Sequence, residues 1–478
     1  MPTRFTKKLS RSLHASAIAA FVIAASPLHA AEATATRPDQ AKFREIYKEL
    51  VETDTSVATG NCTILADKID RRLRAGGFTD AEIYRFAPSP KEGGIVVTLA
   101  GTSKAAKAVL LLGHIDVVNA PPEGWSHDSF KFSETDGFFS GRGTADMKAL
   151  DAIWIDTMLR LKAQGGKQTR SLKMALTCGE EGGWPTNGAR WLTENQRGLI
   201  DAQFALNEGG GGNVGPDGAL LELTVGAAEK FGPNFKIEAD NPGGHSSVPH
   251  PDNAIYDLSR TLLHIRELHF PVDLNDVTRA FFARTGAARN DGIGAAMRAI
   301  AADPNDREAD KTLSAVLEYN PLLHTTCVPT LLEAGHATNA LPQRATANIN
   351  CRILPGETLA TVQAALVKAV NDPAISVTFV PNDEPVAAMS PVSSAIFGPM
   401  EAAAKRHFPG AVVVPTMSTG GSDSRYLHAV GIPTYGVPGI ASPLGGSGAH
   451  GINEHVGVRA VYQARDYIFD LVQAYLRQ

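Results

Sequence analysis

Three short apolar runs, AVLLLG, SLKMALT and AQFALN, are separated by segments of helical texture, and each passes almost directly into residues that bind protons or metals. His114 and Asp116 follow the first run, Glu180 and Glu181 the second, and Glu208 the third. A strand that is apolar on both faces needs cover on both, so this alternation predicts an α/β domain with a largely parallel sheet. Parallel strands end along one edge, and ligands bind in the crevice beyond those ends. The chain is therefore expected to gather imidazole and carboxylates in one place.

At 478 residues the chain is too long for one ordinary domain. RPDQAKFREIYKELVETD puts Phe43, Ile46, Tyr47, Leu50 and Val51 on one helical stripe, and CTILADKIDRRLRAGG repeats the pattern up to a glycine stop. Near Ala227 the texture changes. FGPNFKIEAD leads to a helix carrying Ile255, Leu258, Leu262 and Ile265 on one face; TTCVPTLLEAG and ATANINCRILPG then flank a turn, and ISVTFVP follows. The order strand, helix, strand, strand, helix, strand predicts a small α+β domain of ferredoxin-like type. Residues from about 270 to 320 are polar and helical in texture and read as an insertion within it. From about Glu384 the first texture resumes. The expected organisation is a signal over 1–30, the larger domain over 31–226 and 385–478, and the second domain inserted over 227–384.

Arg4, Lys7, Lys8 and Arg11 precede an apolar run from about Ala15 to Ala25 and a small-residue site around Ala30 to Ala33, the order of a secretory signal. An uncleaved anchor is the alternative. That run is short for a bilayer, and no later stretch approaches ~20 apolar residues, so a periplasmic or secreted protein without a stable membrane anchor is expected. The formal charge is −5, and no basic run interleaved with aromatics occurs, which argues against nucleic acid as a partner. Cys62, Cys178, Cys327 and Cys351 form no CxxC pair. Cys327 and Cys351 lie symmetrically about the turn near Asn339 and can face each other across a hairpin; four small buried residues is the equal alternative.

Asp146, in the Gly-rich approach GRGTADMK to a helix, and His450, in SGAHGINEH, are placed to join the acids at the sheet edge. Singly, each residue has an ordinary reading: a core histidine, a helix N-cap, a solvated acidic turn, a surface imidazole. Jointly they do not. Asp116, Asp146, Glu180, Glu181 and Glu208 within a few ångströms would repel one another, and burial would force several to bind protons. Divalent cations remove the conflict, and imidazole nitrogen with carboxylate oxygen suits Zn²⁺. Two cations bridged by one carboxylate would also organise a water.

LLLGHIDVV, GRGTADMK, TCGEEGG, NEGGG and GAHGINEH, with GGHSS and NCRILPG, resemble in content and order the motifs of the dinuclear zinc exopeptidases and deacylases. That family includes aminoacylase, acetylornithine deacetylase, succinyl-diaminopimelate desuccinylase and glutamate carboxypeptidase. The resemblance covers the chain beyond its first thirty residues. It implies an α/β, phosphorylase/hydrolase-like mixed-sheet catalytic domain with an inserted α+β ferredoxin-like lid, often dimerising into a homodimer. It also implies two Zn²⁺ per subunit, with Co²⁺ or Mn²⁺ as substitutes: His114 and Glu208 on one, Glu181 and His450 on the other, Asp146 bridging. Asp116 would orient His114, Glu180 would be the general base, and His245 would reach the substrate carbonyl from the lid. Asn339 and Arg352, aided by Arg425, would hold the substrate carboxylate. Two departures stand out: Gly179 replaces an aspartate common before the glutamate pair, and the lid is longer than the family minimum.

The expected activity is hydrolysis of the amide bond in small peptides or N-acyl amino acids with a free C-terminal carboxylate, of carboxypeptidase type. Two other classes compete. A periplasmic carboxylate-binding protein would have no use for an unliganded Glu180, and a dinuclear phosphoesterase would be expected to carry more cationic groups. Neither GxSxG nor HExxH occurs.

Overall fold

The computed structural model describes residues 37–214, 220–386, 388–442 and 445–478. The signal expected over 1–30 lies outside them. No helix among the described residues is long and apolar enough to cross a membrane.

The larger body is built on a mixed sheet with nine strands among the described residues. Its centre is parallel: Leu172–Thr177, Val109–His114, Phe204–Asn207 and Thr434–Gly436 lie side by side in that order. The flanks supply the antiparallel pairs, Ile83–Phe86 with Gly94–Leu99 on one side and Gly211–Val214 with Leu220–Glu229 on the other. Alternate side chains explain the unbroken apolar runs. Val109 and Leu111 join one core with Met174, Leu176 and Leu206, whereas Leu110 and Leu112 join another with Ala175, Leu192 and Leu427 on the opposite face. Helix Lys148–Ala163 is buried along most of its length because helices Pro38–Val51 and Val458–Arg477 close over it. Arg465 on the last of these is 1% exposed and paired to Asp156 at 2.8 Å and Asp39 at 2.7 Å, which pins the C-terminal segment to the first half of the chain.

The smaller body is a four-stranded antiparallel sheet in the order Thr326–Ala334, Arg344–Arg352, Asn234–Asp240, Ile375–Val380. Helices Ala254–Arg266 and Leu359–Val370 cover one face. Phe235, Ile237, Ala347 and Ile349 point into that core at every second position, and the opposite face is wet.

Two details depart from the sequence reading. Residues from about 270 to 320, read there as an insertion within the smaller domain, coincide with helices Asp276–Ala288, Gly292–Ala302, Arg307–Ser314 and Asn320–Leu323, whose Val277, Phe281, Phe282, Met297 and Leu313 belong to the core of the larger body. They dock there because strand Val412–Ser418 would otherwise be a bare sheet edge; Arg284 Nη1 donates to the Val413 carbonyl at 2.9 Å. The four cysteines are all paired: Cys327 with Cys351 across adjacent strands, the hairpin pairing the spacing allowed, and Cys62 with Cys178, a pairing it did not offer, which joins helix Cys62–Ala75 to the residue after strand Leu172–Thr177.

Candidate metal centre

The register of the parallel strands brings the expected residues to one edge. His114 ends its strand opposite Thr177, so Glu180 and Glu181 emerge beside it, and Glu208 follows the end of Phe204–Asn207 on its other side. Asp146 arrives on the loop before helix Lys148–Ala163, and His450 on the loop before strand His455–Gly457.

The distances describe a cluster with two halves. His114 Nε2 lies 3.2 Å from Asp146 Oδ1 and 3.7 Å from Glu208 Oε1; His450 Nε2 lies 3.1 Å from Asp146 Oδ2 and 2.9 Å from Glu181 Oε2. Asp146 thus turns one oxygen to each histidine. Ligand atoms of His114, Glu180 and Glu208 lie within 4.8 Å of one another, as do those of His114, Asp146 and Glu181.

The protonation chemistry tests whether this donor set fits a metal. His114 Nδ1 is 3.1 Å from the Asp116 backbone carbonyl, which can only accept, so the ring proton sits on Nδ1. Its buried Nε2 makes no hydrogen bond and aims a lone pair at carboxylates that have nothing to donate. Without a cation the group takes up protons. Burial opposes a charge on His114, but Glu208 and Asp146 outweigh it and raise its pKa well above the ordinary value. The hydrogen bond to Asp146 lifts His450 to about 9. Burial and Glu208 push Glu180 well up, and burial with Asp146 pushes Glu181 to about 7. Divalent cations replace all of these protons at once, so the residues fit a two-metal site.

Asp116 meets His114 through its backbone and the glutamate turn through its side chain. Its backbone carbonyl, not its carboxylate, receives His114; the carboxylate is fully buried and accepts the N–H groups of Glu180 at 3.3 Å and Glu181 at 3.2 Å. Asp116 therefore orients both the histidine and the glutamate turn.

Of the remaining expected residues, Arg425 belongs to the larger body and His245, Asn339 and Arg352 to the smaller one. Arg425 is paired to Glu384 at 3.0 Å; burial opposes its charge, but Glu384 outweighs burial and raises its pKa, with Glu180 adding a little. His245, exposed on the short strand Gly244–His245, pairs with Ala340, and Asn339 accepts the Ser246 N–H at 3.0 Å, so His245 and Asn339 share one patch of the smaller body. His245 Nδ1 accepts the Ser247 N–H at 3.2 Å and faces its hydroxyl at 2.7 Å, which puts the ring proton on Nε2. Arg352 ends strand Arg344–Arg352 and lies over Gly232, where an added Cβ would come within 2.7 Å of its Nη1. Among the described residues, no hydrogen bond or ion pair joins His245, Asn339 or Arg352 to the cluster.

Sequence reasoning missed Glu454, four residues after His450. It is fully buried; Oε1 accepts the N–H groups of Ala145 at 2.7 Å and Asp146 at 3.1 Å, and Oε2 accepts Gly143 N–H at 3.0 Å and Arg142 Nη1 at 2.7 Å. Arg142 also donates to the Gly451 carbonyl at 2.7 Å, so one buried ion pair braces both the Asp146 and the His450 loops. The available signal was an acid inside an otherwise Gly-rich ligand loop.

Comparison with known proteins places the chain in a family and a fold. A family-wide sequence description, Peptidase family M20/M25/M40, matches residues 110–474. The chain is 27% identical over 392 residues to a probable carboxypeptidase S-like 2 of Dictyostelium discoideum, covering 79% of this chain and 74% of that one. It is 26% identical over 386 residues to a Homo sapiens N-fatty-acyl-amino acid synthase/hydrolase, covering 79% and 76%. In fold it is similar to an M20 family metallo-carboxypeptidase of Sulfolobus solfataricus, with a TM-score of 0.67, 18% identity, and 91% and 100% of the two chains covered.

Proposed function

The chain belongs to peptidase family M20/M25/M40, and we propose that within it this protein is a dinuclear zinc hydrolase of carboxypeptidase type, acting on peptides or N-acyl amino acids with a free C-terminal carboxylate. The observation that carries this reading is Asp146, whose two oxygens each face a different histidine within a half-buried cluster of carboxylates. His114 and Glu208 would hold one cation, Glu181 and His450 the other, and Asp146 both. When bound, such a pair acts as a Lewis acid and lowers the pKa of water from 15.7 towards about 7.

In this assignment neither Asp116 nor Glu180 holds a cation, and Glu180, whose carboxylate lies within 4.8 Å of the ligand atoms of His114 and Glu208, is the one free to act on water. As general base it takes the proton of the attacking water and returns it to the leaving amine. Its burial serves this, because a carboxylate removed from water holds a proton at higher pH. Asp116 keeps His114 in its Nδ1–H form and fixes the glutamate turn. The smaller body acts as a lid: His245, with its Nε2–H free to donate, meets the developing oxyanion, and Asn339 with Arg352 receives the substrate carboxylate, a task suited to a planar guanidinium fork. Arg425 supports that charge from the larger body.

A cavity of about 210 Å³ opens beside Asp146 and Glu208, lined by Met147, Leu150, Val437, Ile440 and Val456. Its walls are about half polar, with Ser442 and Ser447 among them, so the apolar patch suits a short hydrocarbon group next to the scissile bond. Export fits the two disulfides, which persist in oxidising compartments. A second copy of the chain is the expected neighbour of the open edge strand Thr326–Ala334, where Val328, Leu331 and Leu332 are exposed. The carboxylate-binding-protein and phosphoesterase alternatives draw no support from the family match.

The test is a panel of dipeptides and N-acyl amino acids with free and amidated C-termini, assayed before and after chelation. Glu180→Ala is expected to keep both metals and lose turnover, and Glu181→Ala to lose metal as well. Equal metal contents with equal activities in the two variants would contradict both assignments, and indifference to C-terminal amidation would remove the role given to Arg352.

A further inference from the structure

The turn that presents Glu180 and Glu181 has no side chain at its apex. Gly179 has φ +103°, and a Cβ there would lie 2.3 Å from the Thr186 carbonyl oxygen. No acid or amide at position 179 can brace the glutamates, so support has to come from elsewhere in the chain.

Asp423 is placed to give it. This residue is 2% exposed and lies between the two stems of the turn. Its Oδ2 accepts the Thr177 hydroxyl at 3.1 Å, and its Oδ1 accepts the Asn187 side-chain amide at 2.6 Å. The same Asn187 nitrogen donates to the Gly179 carbonyl at 3.2 Å. That carbonyl and the Glu180 N–H belong to one peptide plane, and the N–H end is held by Asp116 at 3.3 Å. The plane is thus fixed at both ends, by Asp116 on one side and by Asp423 through Asn187 on the other. Planar geometry at the peptide then leaves Glu180 little freedom beyond its own side-chain rotations.

We propose that Asp423 is a positioning residue for Glu180, holding the Gly179–Glu180 peptide through Asn187 so that the Glu180 carboxylate meets the attacking water. The proposal rests on the reading of Glu180 as general base. Asp423 touches neither substrate nor cation; its contribution is orientation, and small misplacements of a reacting group cost on the order of a hundredfold in rate.

Position and charge are separable here. In Asp423→Asn the amide oxygen can still accept from Asn187, and the new NH₂ can donate to Thr177 Oγ1, whose own proton then goes to the Gly113 carbonyl at 3.2 Å. The links survive without the negative charge. Asp423→Ala loses both links.

The experiment compares Asp423→Ala, Asp423→Asn, Asn187→Ala and the double variant Asp423→Ala/Asn187→Ala. Readouts are kcat, KM, metal content, and amide hydrogen exchange across residues 177–190 of the metal-free protein. Asp423→Ala should lower kcat about ten- to hundredfold with little change in KM or metal content, and Asp423→Asn should restore most of that loss. Asn187→Ala should match Asp423→Ala, with the double variant no worse than either, because both break one chain of contacts. Exchange at Glu180 and Glu181 should quicken in Asp423→Ala and return towards wild type in Asp423→Asn. A loss in Asp423→Asn equal to that in Asp423→Ala, unchanged kcat in Asp423→Ala, or exchange rates indifferent to all these changes would each overturn the proposal. Glu180→Ala run alongside separates the two levels: if it retains turnover, the base assignment fails, while the exchange rates still judge the bracing role of Asp423. If Asp423→Ala does not fold, Asp423→Asn and Asn187→Ala decide.

Discussion

Replacing Glu454 by glutamine tests how the metal-binding loops are held, and the structure sets the size of the effect. The native carboxylate accepts four hydrogen bonds, two on each oxygen. Glutamine keeps one oxygen and places an NH₂ where the other stood. Its better orientation leaves the oxygen facing Arg142 and Gly143, since Arg142 is 3% exposed and an unpaired buried cation is the costlier outcome. The NH₂ then opposes the N–H groups of Ala145 and Asp146. Both donors are only part-buried, so each costs towards the low end of the ~1–3 kcal/mol of an unpaired buried donor, and Glu454→Gln should destabilise the metal-free protein by about 2 kcal/mol. One of those donors belongs to Asp146 itself, which puts the disturbance at the bridging position, and a lost supporting contact of this kind weakens metal binding about 10- to 100-fold. Urea unfolding of the chelated protein measures the first quantity, and titration with Zn²⁺ against a competing chelator the second. A variant with wild-type unfolding midpoint and wild-type Zn²⁺ affinity would refute the clamp.

The protons held by the metal-free cluster make its stability fall with rising pH. Glu181, raised by burial and Asp146 to about 7, and His450, raised by its bond to Asp146 to about 9, keep protons in the folded chain that the unfolded chain has released. Denaturant midpoints of chelated protein should therefore drop between about pH 5 and 9, while Zn²⁺ affinity rises over the same interval as protons cease to compete; parallel trends would contradict the assignment. Removal of the disulfide Cys62–Cys178, which closes 116 residues, should cost about 5 kcal/mol in the chain-entropy account, against about 3.5 kcal/mol for Cys327–Cys351, which closes 24; unfolding of the two Cys→Ser pairs checks the order. Sedimentation of Leu331→Asp should show a shift from dimer to monomer, and an unchanged sedimentation coefficient would rule out that edge as the contact.

The alternation of apolar strands with helices was enough to place His114, Glu180, Glu181 and Glu208 at one sheet edge, because parallel strands share a direction and their carboxyl ends must coincide. Periodicity likewise showed the stripe of Phe43, Ile46, Tyr47, Leu50 and Val51 before any contact was known, since burial of one helix face follows from local spacing. Other features leave no such trace. Glu454 works on backbone N–H groups some three hundred positions earlier, and backbone donors look alike in every sequence. The helices of 276–323 have an apolar stripe, but which sheet edge it covers depends on where Val412–Ser418 ends up. Asp423 and Cys62 read as ordinary polar and small residues until folding sets one beneath the glutamate turn and bonds the other to Cys178. What spacing along the chain can determine, the sequence alone decided; what depends on which distant surfaces meet was settled only by tertiary packing, because a single chain position carries no record of its eventual neighbour.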